Sequence, residues 1–405
     1  MIHYMTTNGV GNAWVGNELR VVMREGIPVM LHSLIRPKTT FFSSEDVCEL
    51  DRTTRALYPL QRLRVAKAVG LAPFRFRERF ASALWNSLTG RRESLRNRAV
   101  GVYHLLVACY WAGELRREKV SLIHSQWIHS GGTVAMYGAW LLGKPFSFTG
   151  HAADLFRERA ALEDKIERAE FIICISNFHR EFFLKHGARP DQLRIAYCGI
   201  DTTHFSPRLR ERKPGQRFRI LSSGRLVEKK GFEWLIRACE RLRERGIDFE
   251  CSIAGSGPLE AALRQQIDAA KLSDRVTLTG KPLNQEDIPD FMASGDVYCL
   301  PCVWASDDDV DGLPQMLMEA MACGLPAVST RLVGIPDLVI HERTGLLVEP
   351  KQADELALAL ERLLLDPELA RRLAAAGREL VTKDFDLSNC LKPLLDQFRA
   401  HLEAS

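Results

Sequence analysis

The sequence predicts an α/β protein made of two Rossmann-like, doubly wound halves. Three observations predict it. Short β-rich runs alternate with helical patterns along the whole chain. A charged stretch with two prolines, Ser206–Gln216, divides the chain near its middle and reads as a linker. The 405 residues suffice for two or three domains of roughly 150 residues each. With 46% hydrophobic and 26% charged residues, the chain is not disordered, collagenous or a coiled coil.

In the first half, strands are expected at Ile2–Thr6, Pro28–His32, Ser121–His124, Phe146–Thr149, Phe171–Ile175 and Leu193–Tyr197, with helices such as Asn17–Glu25 and Ser176–Lys185 between them. In the second half, strands are expected at Arg219–Ser222, Glu250–Ala254, Val276–Thr279, Val297–Leu300 and Ala327–Ser329. Helices are expected there near Phe232–Arg245, Leu259–Lys271, Gln315–Ala322 and Ala353–Leu365. Val120–Gly143 carries no Asp, Glu, Lys or Arg, but His124, Ser125, Gln126 and His129 interrupt it. It reads as a strand, a loop and a buried helix rather than a membrane span. The ten cysteines are scattered and too few for a disulfide framework. With a start that does not resemble a signal peptide, they predict a reducing cytoplasm.

Net charge is +4, but residues 61–100 hold ten Arg or Lys against Glu78 and Glu93. Phe74, Phe76, Phe80 and Trp85 lie among these cations. Such a segment fits an anionic membrane, nucleic acid or a solvated basic face. The expectation adopted is a membrane surface, with no nucleic acid.

Three segments carry candidate chemistry. In Ser222–Gly231, a strand ends, Gly224 frees a turn, and Arg225 and Lys230 precede a helix. Helix-start amides with two cations suit an anion, and a diphosphate better than one carboxylate; taken alone, the segment also fits a surface turn with solvated cations. In Asp311–Gly324, a nearly apolar helix holds Glu319, a carboxylate that needs donors such as ribose hydroxyls, unless it lies at the helix edge and reaches water or an Arg. In Phe148–Asp154, His151 follows a strand and a glycine, placing it to meet a sugar hydroxyl or leaving group, or to serve as a plain helix-start residue. Weaker signals are Ala254–Pro258, Asn8–Asn12, the Cys299–Cys302 pair and the acidic loop Ser306–Asp311. Metal binding is not expected at either of the last two, although the loop contains a DxD string.

Taken as an ordered set, these motifs resemble family 4 retaining glycosyltransferases of the GT-B fold, and within them those of exopolysaccharide and colanic-acid synthesis. The set runs GRLVEKKG (224–231), IAGSGPL (253–259), VTLTG (276–280), DGLPQMLMEAMACGLPAVST (311–330) and GIPDLVIHERTGLLVEP (334–350). FTGHAADLF, IICISNF and YCGIDTTHF in the first half match more loosely. The resemblance implies two domains facing across a cleft: residues 1–207 on the acceptor side and 208–385 on the donor side. The last helix, about Leu387–Glu403, would return to the first domain.

It also implies roles. Arg225 and Lys230 would hold the donor diphosphate, and Glu319 the ribose. His151 would lie by the donor sugar. Gly9 and Gly11 would approach donor and acceptor. Gly224, Gly255, Lys281, Leu283, Gly312, Leu313 and Pro314 complete the expected donor-binding set, with Ile335 and Pro336 nearby. The family's paired acids fall on Asp311 and Glu319, so an aspartate stands at the first place. The reaction implied is metal-independent, retaining sugar transfer from a nucleoside-diphosphate sugar, with no cofactor, to a lipid-linked saccharide. The protein would work in bacterial cell-surface polysaccharide synthesis, peripheral on the inner face of the cytoplasmic membrane. Alternatives are a sugar-nucleotide 2-epimerase of the same fold, a non-catalytic nucleotide-sugar-binding subunit, and a metal-dependent transferase using the DxD string.

Overall fold

A computed structural model describes residues 1–11, 13–36, 45–92, 94–151, 161–207, 213 and 215–404. The chain divides into two compact units, Met1–Tyr197 with Leu391–Ser405, and Cys198–Cys390. The join expected at residue 207 falls inside the second unit, and residues 208–212 and 214 of the expected linker lie outside the described residues.

The first unit holds seven parallel strands: β1 (Ile2–Thr6), β2 (Val29–Ser33), β3 (Arg55–Ala56), β4 (Leu122–Ser125), β5 (Phe146–Gly150), β6 (Ala169–Cys174) and β7 (Leu193–Ile195). Their order is β3-β2-β1-β4-β5-β6-β7. Every residue of β1, β4 and β5 is buried, as expected of parallel strands covered on both faces. Ile2 pairs with both Val29 and Leu122, so β1 lies between β2 and β4. The order reverses there, and the carboxyl edge of such a switch point is where these sheets bind ligands.

Between β3 and β4 the chain forms helices Arg62–Phe76, Glu78–Thr89 and Leu95–Leu115. The last begins where the Ser94 hydroxyl accepts from the Asn97 amide at 3.1 Å. It docks on the sheet through buried Trp111, whose indole donates to His32 Nδ1 at 3.1 Å. The uncharged stretch before Lys144 resolves into β4 and a buried helix, Ser130–Leu142.

The second unit holds β8 (Phe218–Ser223), β9 (Phe249–Ala254), β10 (Val276–Leu278), β11 (Val297–Leu300), β12 (Ala327–Thr330) and β13 (Leu346–Val348). Their order, β10-β9-β8-β11-β12-β13, is the doubly wound one, with its switch between β8 and β11. The fold class read from the sequence therefore holds for each unit.

The expected helix at Leu387–Glu403 is two pieces, Leu387–Cys390 and Lys392–Glu403. Pro393 in the first turn of the second piece has no amide to continue the preceding helix, so a new one starts there. That second piece belongs to the first unit, where Phe398 packs against His124 and Phe171.

Candidate functional site

In the second unit, the residues singled out from sequence gather at the carboxyl edge of the β8–β11 switch. Gly224 leaves β8 with φ 149°, and Gly255 leaves β9 with φ 155°, a region that favours glycine. The two turns touch: a Cβ at Gly255 would overlap the Gly224 carbonyl oxygen. The Gly224 amide donates to the Ala254 carbonyl at 2.9 Å, and Leu226 N to Ser256 O at 2.9 Å. Thr279 ties in the next loop, its hydroxyl donating to Lys281 O at 2.9 Å and accepting from Gly255 N at 3.3 Å. Lys281 is exposed and Leu283 half-buried on that loop.

Past Gly224, Arg225 is exposed, and among the described residues no acid pairs with it. Lys230 is not free. Its Nζ lies 2.6 Å from Asp311 Oδ2, and Lys229 Nζ lies 3.1 Å from Asp311 Oδ1 and 3.2 Å from Asp309 Oδ2. The four side chains are only 13–17% exposed. Burial opposes charge on Lys230, but Asp311 outweighs it and holds the ammonium above its ordinary pKa. Burial likewise opposes charge on Asp311, and the two lysines pull its carboxyl below the usual range. Sequence reasoning missed Lys229 and Asp309 as members of this cluster; adjacent lysines facing an Asp-rich loop were the available signal. Asp309, part of the DxD string, is engaged by Lys229. Cys299 and Cys302 are buried free thiols, raised by burial, which makes them poor nucleophiles.

Gly312, Leu313 and Pro314 lead from Asp311 into the helix Gln315–Ala322, whose first turn has no side-chain cap. Gly312 O accepts from Gly334 N at 2.9 Å, fixing this turn to the loop that carries buried Ile335 and half-buried Pro336. Glu319 is 7% exposed, and its Oε2 has no hydrogen-bond partner. Burial pushes its carboxyl up to about 7. An orphaned buried carboxylate oxygen asks for a donor.

Gly9, Gly11 and His151 belong to the first unit. Gly9 turns the chain after β1 with φ 59°, and Gly11 N donates to Asn8 O at 3.1 Å. His151 follows β5, 6% exposed, with the Trp14 ring 4.1 Å and the Trp127 ring 4.8 Å away. Burial, then nearby His179 and His129, drive its pKa well down, so the ring is neutral at physiological pH. Residues 152–160, the rest of the FTGHAADLF motif, lie outside the described residues.

His151 Nε2 lies 3.4 Å from Gln126 Nε2, and this contact opens onto a group the sequence reading missed. Gln126 Nε2 donates to Glu18 Oε2 at 3.2 Å. The Tyr4 hydroxyl lies 2.5 Å from Glu18 Oε1 and also bonds Gln126 Oε1. One hydroxyl proton serves one acceptor. A neutral Glu18 that donates to Tyr4, while Tyr4 donates to Gln126, satisfies both contacts. Burial agrees, pushing the Glu18 carboxyl up to about 7. A signal for Glu18 existed: it sits in the apolar stripe Val15, Leu19, Val22 of its helix, where a carboxylate is out of place.

Residues 54–204 match the family model described as Glycosyltransferase Family 4, and residues 207–380 the one described as Glycosyl transferases group 1. The chain is 37% identical over 221 residues to the putative colanic acid biosynthesis glycosyltransferase WcaL of Escherichia coli, covering 54% of each protein. It is 36% identical over 243 residues to the amylovoran biosynthesis glycosyltransferase AmsK of Erwinia amylovora, covering 58% of this chain and 59% of AmsK. The match thus spans a little over half the length of these relatives. Among solved structures, a glycosyltransferase from Rickettsia africae superposes with TM-score 0.72 at 16% identity, covering 100% of this chain and 99% of that one. HepE of Anabaena, solved in complex with UDP, gives 0.71 at 17%, covering both chains fully. At these identities the likeness establishes the fold, which is GT-B. With its two halves matching consecutive family models, the chain belongs to the glycosyltransferases, a family 4 domain followed by a group 1 domain.

Proposed function

We propose that the protein moves a sugar from a nucleoside-diphosphate sugar to a lipid-linked saccharide in cell-surface polysaccharide synthesis, with retention and without a metal. The observation that carries this reading is the cation cluster at the carboxyl edge of the β8–β11 switch: exposed Arg225 beside Lys229 and Lys230. A departing nucleoside diphosphate develops negative charge as the glycosidic bond breaks. Cations fixed in advance stabilise that charge without rearranging at the moment of reaction. The uncapped start of the Gln315–Ala322 helix adds amide dipoles. Glu319 Oε2 takes a ribose hydroxyl as its donor, consistent with its orphaned state. Neutral His151 offers a hydrogen bond to a sugar hydroxyl rather than a charge. The relatives named above, in colanic acid and amylovoran biosynthesis, support polysaccharide synthesis as the setting.

The same reading places the protein on the cytoplasmic face of a membrane through residues 61–100. Eight cations there are exposed: Arg62, Arg64, Lys67, Arg75, Arg77, Arg79, Arg91 and Arg96. Leu63 is 88%, Phe74 79%, Trp85 69% and Leu95 84% exposed on the same three helices. Among the described residues no helix is long and apolar enough to cross a membrane.

The test incubates purified protein with a panel of sugar nucleotides, with and without membrane extract carrying lipid-linked saccharides. Release of free nucleoside diphosphate only when acceptor is present supports transfer. Acceptor-independent conversion of the sugar nucleotide to an epimer would replace transfer with isomerisation.

A further inference from the structure

The break between the first two helices of the basic segment forms a cavity of about 430 Å³. Arg75, Arg77, Arg79 and Arg116 line it together with Glu78, and Leu141 is among its apolar walls. The backbone builds this concavity: Arg77 sits at φ 48°, its amide donating to Pro73 O at 3.1 Å, and a new helix starts at Glu78.

Some neighbouring arginines have partners within the protein. Arg92 meets Asp164 at 2.5 Å, Arg91 meets Glu163 at 2.9 Å, and Arg98 donates to the Leu88 carbonyl. The four cavity arginines differ. Among the described residues none of their guanidinium groups has an acid within ion-pair distance or a hydrogen-bond acceptor, and Glu78 pairs with none of them.

They are nonetheless seated. The Arg79 guanidinium lies over Gly143, where a Cβ would collide with it, and Arg75 Nη1 lies 3.3 Å from where a Cβ on Gly113 would be. Glycine at 143 leaves the Arg79 guanidinium room against the backbone. Four like charges held around one hollow repel each other, and with Glu78 their sum is +3. That arrangement becomes favourable when a multivalent anion fills it.

We propose that this cavity binds a phosphate or diphosphate group. Planar guanidinium forks match phosphate oxygens two at a time, and several forks converging suit a group with more oxygens than a carboxylate. Phe74, 79% exposed, adjoins Arg75 on the same helix and offers an apolar neighbour for a hydrocarbon chain. The anion is therefore carried either on a membrane amphiphile or free in solution. The first source rests on the membrane reading above and names which headgroup chemistry that surface selects.

The experiment uses the full chain with Arg225→Ala and Lys230→Ala already in place, which removes the other anion site. Calorimetric titration with pyrophosphate at fixed ionic strength reads the cavity directly. Adding Arg75→Ala and Arg116→Ala should weaken pyrophosphate binding roughly tenfold or more per arginine. Arg75→Lys with Arg116→Lys keeps the charge but loses the fork, and should weaken it nearly as much. If the lysine pair binds as the parent does, the cavity is only a basic surface and the proposal falls. Sedimentation with phosphatidylcholine vesicles containing either phosphatidic acid or phosphatidylglycerol, at matched charge, identifies the source. Preference for phosphatidic acid, lost in the lysine pair, assigns the cavity to a lipid phosphate. Pyrophosphate binding with no vesicle preference assigns it to a free anion and counts against the membrane reading alone. Undiminished pyrophosphate binding after both alanine substitutions overturns the site.

Discussion

Replacing Asp311 by Asn should destabilise the unliganded protein and strengthen its response to a nucleoside diphosphate. Asp311 holds Lys230 at 2.6 Å and Lys229 at 3.1 Å with all three side chains 13–17% exposed. Removing one member of a buried ion pair costs about 3–5 kcal/mol, chiefly because the other charge is stranded. Lys229 keeps Asp309 at 3.2 Å, so only Lys230 is fully stranded and the lower end, about 3 kcal/mol, applies. For a unit of this size, each kcal/mol lowers the melting midpoint by roughly 2–4 °C, giving a fall of roughly 6–12 °C. A diphosphate brings back the missing negative charge. Its stabilising shift, measured by scanning calorimetry with UDP or GDP, whichever shifts the wild type, should exceed the wild-type shift. An unliganded midpoint within about 1 °C of wild type, or a smaller ligand shift, would refute the view that carboxylate and ligand compete for Lys230.

Arg225→Ala or Lys230→Ala should each reduce transfer by roughly 10–150-fold, the worth of a charged hydrogen bond to the leaving group, while circular dichroism stays native. Wild-type turnover in both variants would remove the diphosphate assignment. Glu319→Gln should weaken nucleoside diphosphate binding about tenfold by calorimetry, and unchanged affinity would take Glu319 out of the ribose site. Glu18 and Glu319 both titrate near 7 when folded, against about 4.3 when unfolded. The folded chain thus keeps protons the unfolded chain has lost, and the contribution of these two groups to stability should fall as pH rises from about 4.5 to 7, against an opposite rise from histidines that burial keeps neutral, among them His104, His124, His129 and His179. Glu18→Gln should remove about 2–3 kcal/mol of that fall and so be more stable than wild type at pH 8, read by urea midpoints at pH 5 and pH 8; an equal slope would place the proton elsewhere.

The strands were legible because parallel strands covered on both faces read as apolar runs. Val297–Leu300 appears at its expected bounds. β3, two residues long, is too short to make a pattern, and β13, Leu346–Val348, was not among the expected strands. The helices between residues 62 and 115 escaped for another reason. Gly70 and Pro73 dilute the helical signal of the first, and Leu95–Leu115, packed on several elements, shows little amphipathic contrast. Within the site, the turns at Gly224 and Gly255 were readable because glycine in a strand-to-helix turn has few other uses. The pairing of Asp311 with Lys230 was not, since which acid meets which base is decided by loops distant in sequence. His151 was found for its place after a strand, whereas its neighbour Gln126 depends on β4 and β5 lying side by side.

The first unit is discontinuous in sequence, because its last piece, Leu391–Ser405, follows Cys198–Cys390. During synthesis, β1 to β7 leave the ribosome well before the helix that covers His124 and Phe171. At roughly 5–20 residues per second, making the intervening unit takes about 10–40 s. Throughout that interval the face that Phe398 later occupies is open to water or to chaperones. The nascent sheet should therefore be a longer-lived chaperone client than the second unit, whose strands and helices all arrive in one uninterrupted run.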